Sequence, residues 1–177
     1  MSRKRMATVW LDGCSGCHMS FLDIDERLLA LADQIELVYS PLVDRKDFPP
    51  DVDITLVEGS VSSEHDMEKI RHIRERTQLL VSLGDCAVNG NVPSMRNSLS
   101  VESVLRRVYL DPGLHNPALP NDEVPRLLPL VRPVHTVVPV DVFIPGCPPR
   151  ADVIFWALTE LLAGRKPDLI GRTRFGV

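Results

Sequence analysis

The residues best suited to chemistry in this chain are its four cysteines, Cys14, Cys17, Cys86 and Cys147. The first two form a C-x-x-C within Asp12-Gly13-Cys14-Ser15-Gly16-Cys17-His18-Met19-Ser20. The others stand alone in Gly84-Asp85-Cys86 and Pro145-Gly146-Cys147-Pro148-Pro149. A lone C-x-x-C is compatible with a redox dithiol, half a zinc site, half an iron–sulfur site or two inert thiols. A dithiol needs a thiol with a lowered pKa at a helix N-terminus, and that reading leaves Cys86 and Cys147 without a use. Structural zinc fits four thiolates in number, yet such sites usually pair their ligands locally and knit together a small fold. An iron–sulfur cluster also takes four thiolates, and ligands from separate loops suit its larger core. Gly13, Gly16, Gly84 and Gly146 would let the backbone come close and aim N–H groups at sulfur. Spacing alone leaves zinc and iron–sulfur both open.

Other polar residues near the thiols have ordinary readings first. Glu58 at a strand end can cap the following helix or face solvent, Asp12 and Asp85 fit turns, and His18 fits a surface position or a donor beside the site. Trp10 and Trp156 suit a core or an interface. The chain has no Ser-His-Asp arrangement, no H-E-x-x-H and no G-x-x-x-x-G-K-[ST] phosphate loop.

The elements that must carry these residues alternate between strand and helix patterns. Strands are expected at Ala7–Leu11, Ile35–Tyr39, Asp53–Val57, Leu79–Leu83 and Val140–Ile144. Helices are expected at Ser20–Ala32, after the N-cap candidates Ser62 and Ser63, at Ser100–Tyr109 and at Ala151–Ala163. Residues 89–97 read as loop. The stretch from about 111 to 139 is rich in proline and has no stable period. Five short apolar strands with helical crossovers predict an α/β fold: a mostly parallel five-stranded sheet, flavodoxin-like in order, with helices on both faces. Ligand sites in such sheets form beyond the carboxyl ends of the strands. The cysteine loops and Glu58 all fall at such ends.

At 177 residues and 44% hydrophobic content, the chain fits a single domain, 1–177, with a sizeable core. A net charge of −4 gives no electrostatic reason to expect nucleic acid or an anionic membrane. No run approaches the roughly 18 apolar residues of a membrane helix. Ser2-Arg3-Lys4-Arg5 is basic but precedes an apolar run too short for a signal peptide. A cytoplasmic, reducing setting is therefore expected, in which metal or redox chemistry is a better use of four thiols than disulfides.

Taken together, the double-cysteine run, Val57-Glu58-Gly59-Ser60, Gly84-Asp85-Cys86 and Pro145-Gly146-Cys147-Pro148-Pro149 resemble the small subunit of nickel–iron hydrogenases. The likeness is greatest to the compact small subunit of cytoplasmic NAD-reducing (bidirectional) soluble hydrogenases. It extends to Leu22-Asp23-Ile24-Asp25-Glu26-Arg27 and Val140-Asp141-Val142-Phe143-Ile144, and so spans nearly the whole chain. The resemblance implies one 4Fe-4S cluster on Cys14, Cys17, Cys86 and Cys147, beside the nickel–iron centre of a separate large subunit. Glu58, His18, Pro148 and the four glycines would flank that cluster or face the partner, with residues 111–139 also at an interface. Electrons would pass to or from a diaphorase module carrying flavin and NAD. The nickel–iron ligands have no counterpart, so this chain would contain no complete active site. FMN is not expected in this chain, because the thiol pair occupies the loop where a T-x-T-G-x-T-like phosphate loop would lie. The small subunit of respiratory complex I is related but has adjacent cysteines at the first position, where this chain has C-x-x-C. A complex I-like or membrane-hydrogenase subunit, and a zinc-stabilised binding module, are the other readings.

Overall fold

The computed structural model describes residues 3–120 and 122–175. In chain order the elements are β1 (Lys4–Trp10), α1 (Gly16–Leu22), α2 (Arg27–Ala32), β2 (Ile35–Tyr39), β3 (Val52–Glu58) and β4 (Val61–Ser63). They continue with α3 (Glu64–Glu75), β5 (Thr77–Leu83), α4 (Asp85–Asn89), α5 (Val101–Tyr109), β6 (Leu127–Arg132), β7 (Val142–Ile144) and α6 (Ala151–Leu162). Short 3-10 turns span Pro93–Ser98 and Val134–Thr136.

Five strands pair side by side in the order β2-β1-β3-β5-β7, every pair parallel. Counted within that sheet the order is 2-1-3-4-5, the flavodoxin-like arrangement. Parallel neighbours cannot be joined by tight hairpins, so each connection crosses a face and covers it. Alternate residues therefore meet different layers. Met6, Ile54, Leu56, Val81, Leu83 and Ile144 pack with Phe21, Leu31, Ile154 and Leu158 from α1, α2 and α6. On the opposite face Ala7, Val9, Val57 and Leu80 pack with Ile70 and Ile73 of α3, and with Ala87 and Val134. Burial on both faces is why these strands read as nearly continuous apolar runs.

Helix α3 starts where its capping residues dictate. Ser63 accepts from the Asp66 backbone N–H at 3.1 Å, and the Asp66 carboxylate accepts from the Ser63 N–H at 3.0 Å. The expected Ser20–Ala32 helix is instead two. Helix α1 begins four residues earlier, at Gly16, and ends at Leu22, and Asp25 then takes a left-handed backbone (φ 57) before α2. Aspartate tolerates that conformation better than most residues, and it breaks the apolar periodicity that the sequence suggests.

The proline-rich stretch also contains regular structure. β6 pairs antiparallel with β4, and Asn97 exchanges two hydrogen bonds with Val131, of 2.8 and 3.0 Å. A three-residue partner and Pro129 inside β6 hide this pairing from sequence patterns. Among the described residues, no helix is long and apolar enough to cross a membrane.

One ion pair fastens the sheet at the end away from the thiols. Asp53 of β3 accepts from Lys4 Nζ at 2.7 Å and from the Arg5 N–H at 2.8 Å. Partial burial raises the carboxyl pKa, but these two donors outweigh it and hold the group below its ordinary value. A lowered folded-state pKa adds stability that is complete above the unfolded value, ~3.9, and is lost as pH falls through the folded one. Asp53→Asn is expected to cost about 1 kcal/mol at pH 7, with the difference from wild type shrinking as pH drops below 4. Urea unfolding at pH 7 and pH 3 under reducing conditions measures it.

Candidate metal centre

Because β1, β3, β5 and β7 run the same way, their carboxyl ends deliver four loops to one edge. Backbone hydrogen bonds then stitch those loops to each other. The Leu11 N–H donates to Glu58 O (2.9 Å), and Asp12 and Ser60 exchange bonds of 3.1 and 2.7 Å. Gly59 (φ +90) permits this, since a Cβ there would lie 2.8 Å from the Asp12 carbonyl oxygen. Ser60 Oγ donates to Cys86 O at 2.8 Å and to Gly90 O at 3.2 Å, joining the β3 and β5 loops. On the far side the Asp85 N–H donates to Gly146 O (2.8 Å), and the Gly146 N–H returns to Asp85 Oδ1 (2.7 Å). Thr173 Oγ1 donates to Pro145 O and Ser20 Oγ to Pro149 O, holding the Cys147 loop against two further segments. The Cys147-Pro148 peptide is cis.

All four thiols come together at this edge. Cys17 is buried, Cys86 half-buried, and Cys14 and Cys147 exposed. Burial, then the Glu58 carboxylate, then the thiols of Cys86, Cys14 and Cys147 push the Cys17 pKa well above the thiol range. Burial, with Cys147 and Cys14, pushes Cys86 up to about 11, although the Val92 N–H at its sulfur works the other way. The four groups thus lie within electrostatic reach of each other, and ionising Cys17 or Cys86 alone is disfavoured. A cationic metal core reverses that balance, because thiolates are the ligands it selects. Among the described residues no group of three or more His, Cys, Asp or Glu is placed to hold a metal ion.

The expected glycine roles divide. The Gly16 N–H does reach sulfur, at 3.4 Å from Cys14 Sγ. Gly84 (φ +82) leaves room for one, as a Cβ there would stand 2.2 Å from Cys17 Sγ. Gly13 instead lies against Gly59, whose Cα a Cβ at Gly13 would approach to 3.2 Å, and the Gly146 N–H serves Asp85 rather than sulfur. Asn91, which motif reading passed over, donates from Nδ2 to Cys147 Sγ at 3.3 Å. Its signal was the Asn89-Gly90-Asn91 turn that follows α4.

Glu58 and His18 depart most from their ordinary readings. Glu58 is 1% exposed and neither caps α3 nor meets water. Its carboxylate accepts the backbone N–H groups of Cys17 (3.3 Å) and His18 (2.8 Å), and also pairs with His18 Nδ1. His18 is a buried residue, 6% exposed, and not a surface one.

Comparison with known proteins places this geometry. The family model for the 20 Kd subunit of NADH ubiquinone oxidoreductase matches residues 14–161, a span that contains every cysteine. The chain belongs to this family. It is 44% identical over 170 residues to the delta subunit of the NAD-reducing hydrogenase HoxS of Cupriavidus necator, covering 93% of this chain and 81% of that one. It is 38% identical to a subunit of the vhu F420-non-reducing hydrogenase of Methanocaldococcus jannaschii, again over 93% of this chain but only 58% of the relative. A crystal structure of an NAD+-reducing [NiFe]-hydrogenase in the H2-reduced state contains a chain that superposes with a TM-score of 0.94 at 45% identity, covering 98% of this chain and 99% of that one. The [NiFeSe]-hydrogenase of Dm. baculatum, at 18% identity and a TM-score of 0.61, shares the fold. Within the family, these relatives make the chain a hydrogenase-type enzyme subunit.

Clearance at Gly84 is the tightest steric feature of the site. Gly84→Ala is expected to destabilise the chain by about 1–3 kcal/mol through overpacking on Cys17. Gly164→Ala, at φ +73 with no atom within 4 Å of the added carbon, should cost only about 1 kcal/mol of backbone strain. Thermal melts of the two variants side by side separate the clash from the strain.

Proposed function

We propose that this chain is the electron-transfer small subunit of a cytoplasmic NAD-reducing nickel–iron hydrogenase. It would hold one 4Fe-4S cluster on Cys14, Cys17, Cys86 and Cys147. The observation that carries this reading is the gathering of four thiols, from the ends of β1, β5 and β7, at one edge of the sheet in a family that includes hydrogenase subunits. A cubane presents four separate iron corners, so its ligands stand further apart than those of a single tetrahedral ion.

When bound, the cluster supplies one-electron redox chemistry between the nickel–iron site of a large subunit and a diaphorase module holding flavin and NAD. This chain's residues supply position and environment. Cys17 and Cys86 hold the buried side, where low dielectric penalises added negative charge. The N–H groups of Gly16, Val92 and the Asn91 side chain point at three of the four sulfurs and offset part of that penalty. Cys14 and Cys147 face outward, towards the surface where electrons enter or leave.

Around that surface the chain exposes Trp10, Met19, Val92 (61% exposed) and Met95 (74% exposed). Each lies within a few residues of a thiol loop, and Trp10 Nε1 donates to Gly13 O at 3.2 Å. Large apolar groups clustered beside a polar site mark an interaction surface, here assigned to the large subunit. The exposed part of the proline-rich stretch, 112–120 and 122–126, is assigned to a further partner contact, and flavin to the diaphorase rather than to this chain. The complex I-like alternative draws support from the matched family model. The C-x-x-C spacing and the hydrogenase relatives favour the hydrogenase reading.

The reading is tested on the complex copurified with its large subunit. Iron and acid-labile sulfide should each approach roughly four per chain, with an iron–sulfur EPR signal on reduction. Cys17→Ser and Cys147→Ser should each abolish that signal. Zinc without sulfide would sink the proposal. In the same preparation Met95→Glu should weaken association with the large subunit tenfold or more, about 1.4 kcal/mol, without loss of iron from the chain that remains bound.

A further inference from the structure

Glu58 and His18 stand out as the most buried polar pair in contact with a cysteine, and the electron-transfer role gives neither of them a task. Glu58 lies at the last position of β3, in register with Trp10 of β1 and Leu83 of β5. A carboxylate at that depth is costly unless its oxygens are fully engaged. Oε1 accepts the Cys17 N–H, and Oε2 accepts both the His18 N–H and the His18 ring. All three donors come from the first turn of α1, the helix that carries Cys17. Ser15, the residue before that helix, is left-handed (φ 65) and caps no N–H with its side chain. Glu58 therefore does at long range, across 41 positions of sequence, what a local N-cap does elsewhere.

The imidazole shows that the pair does more than cap a helix. With Nδ1 on the carboxylate, Nε2 is buried and without a hydrogen-bond partner among the described residues. The ring thus helps to engage Oε2, while its own unsatisfied nitrogen lowers fold stability. Hydrogen bonds made by the groups around a metal ligand orient that ligand and adjust its electronics, and Glu58 accepts one from the Cys17 N–H.

We infer that Glu58 and His18 form a positioning unit that holds Cys17 in its ligand pose and sets the negative charge felt by whatever Cys17 binds. This inference rests on the cluster reading above. His18 contributes by drawing charge from the carboxylate through Nδ1. Neither residue is a ligand, and neither needs to change protonation to act. Opposite signs follow for the two residues. Removing the carboxylate charge makes reduction of the neighbouring group easier, whereas removing the ring that shares that charge makes it harder.

The test is a redox titration followed by EPR on the assembled complex, with iron and sulfide measured in every sample. Glu58→Gln should raise the midpoint potential and His18→Phe should lower it. His18→Asn, whose amide can donate to Glu58, should return most of the way to wild type. A pair that acted only in folding would change loading, leaving the potential and EPR spectrum of the loaded fraction unmoved. Wild-type values in both Glu58→Gln and His18→Phe would overturn the inference, as would shifts of the same sign. If Glu58→Gln does not assemble, the His18→Phe and His18→Asn pair decides alone. Absence of iron, sulfide and signal from wild type is a separate failure, that of the cluster reading itself.

Discussion

Like charges resist being gathered, and this site gathers four potential anions. Burial, the Glu58 carboxylate and the other thiols raise the cost of ionising Cys17, and burial with Cys147 and Cys14 raises it at Cys86. The loops therefore need fixing by something other than the attraction of a bound cation. The sheet and its hydrogen bonds supply that. Parallel strands bring the loops to one edge, and the Asp12–Ser60, Ser60–Cys86 and Asp85–Gly146 bonds tie neighbours together in sheet order. The thiols thus have fixed positions set by backbone, with the unfavourable electrostatics left for a metal core to offset.

That division explains why ordinary fold features recur at the site. The tight Gly59 turn lets the β3 loop lie against the β1 loop, and Gly84 leaves the volume that Cys17 Sγ occupies. Neither glycine touches a cofactor in order to matter. Each holds open a distance between two chain segments that any side chain would enlarge. Moving one loop by an ångström would change how all four sulfurs face each other, because the stitching runs without interruption from β1 through β3 and β5 to β7.

Much of this was legible in the residues. The flavodoxin-like sheet followed from apolar runs alternating with helical patterns, and the cysteine loops were placed at strand ends by the same periodicity. What escaped was set by contacts between distant segments. Nothing local to Val57-Glu58-Gly59 says that its carboxylate reaches back 41 residues to the start of α1, and nothing around His18 distinguishes a buried ring from a solvated one. Asn91 looks like a turn residue until the Cys147 loop arrives beside it. The short β4–β6 pairing was hidden by Pro129 and by the three-residue length of β4. Cysteine spacing likewise favoured iron–sulfur over zinc only modestly.

The site is also asymmetric, and the asymmetry bears on direction. Cys17 lies under the sheet edge with Glu58 and His18 behind it, while Cys14 and Cys147 open to the surface. An electron carrier needs both conditions. A dry, fixed side keeps reorganisation small and sets the potential, and an accessible side lets another protein's redox centre come near. A chain with all four thiols buried would insulate its cluster from partners; one with all four exposed would leave it open to water and loss of iron. The apolar rim of Trp10, Met19, Val92 and Met95 adds the means to resolve the exposed half, since covering it with a partner would dry that side too. On the proposed reading the finished environment of the cluster belongs to the complex. The chain builds the inner half, with Glu58 and His18 at its base, and leaves the outer half for a partner to close.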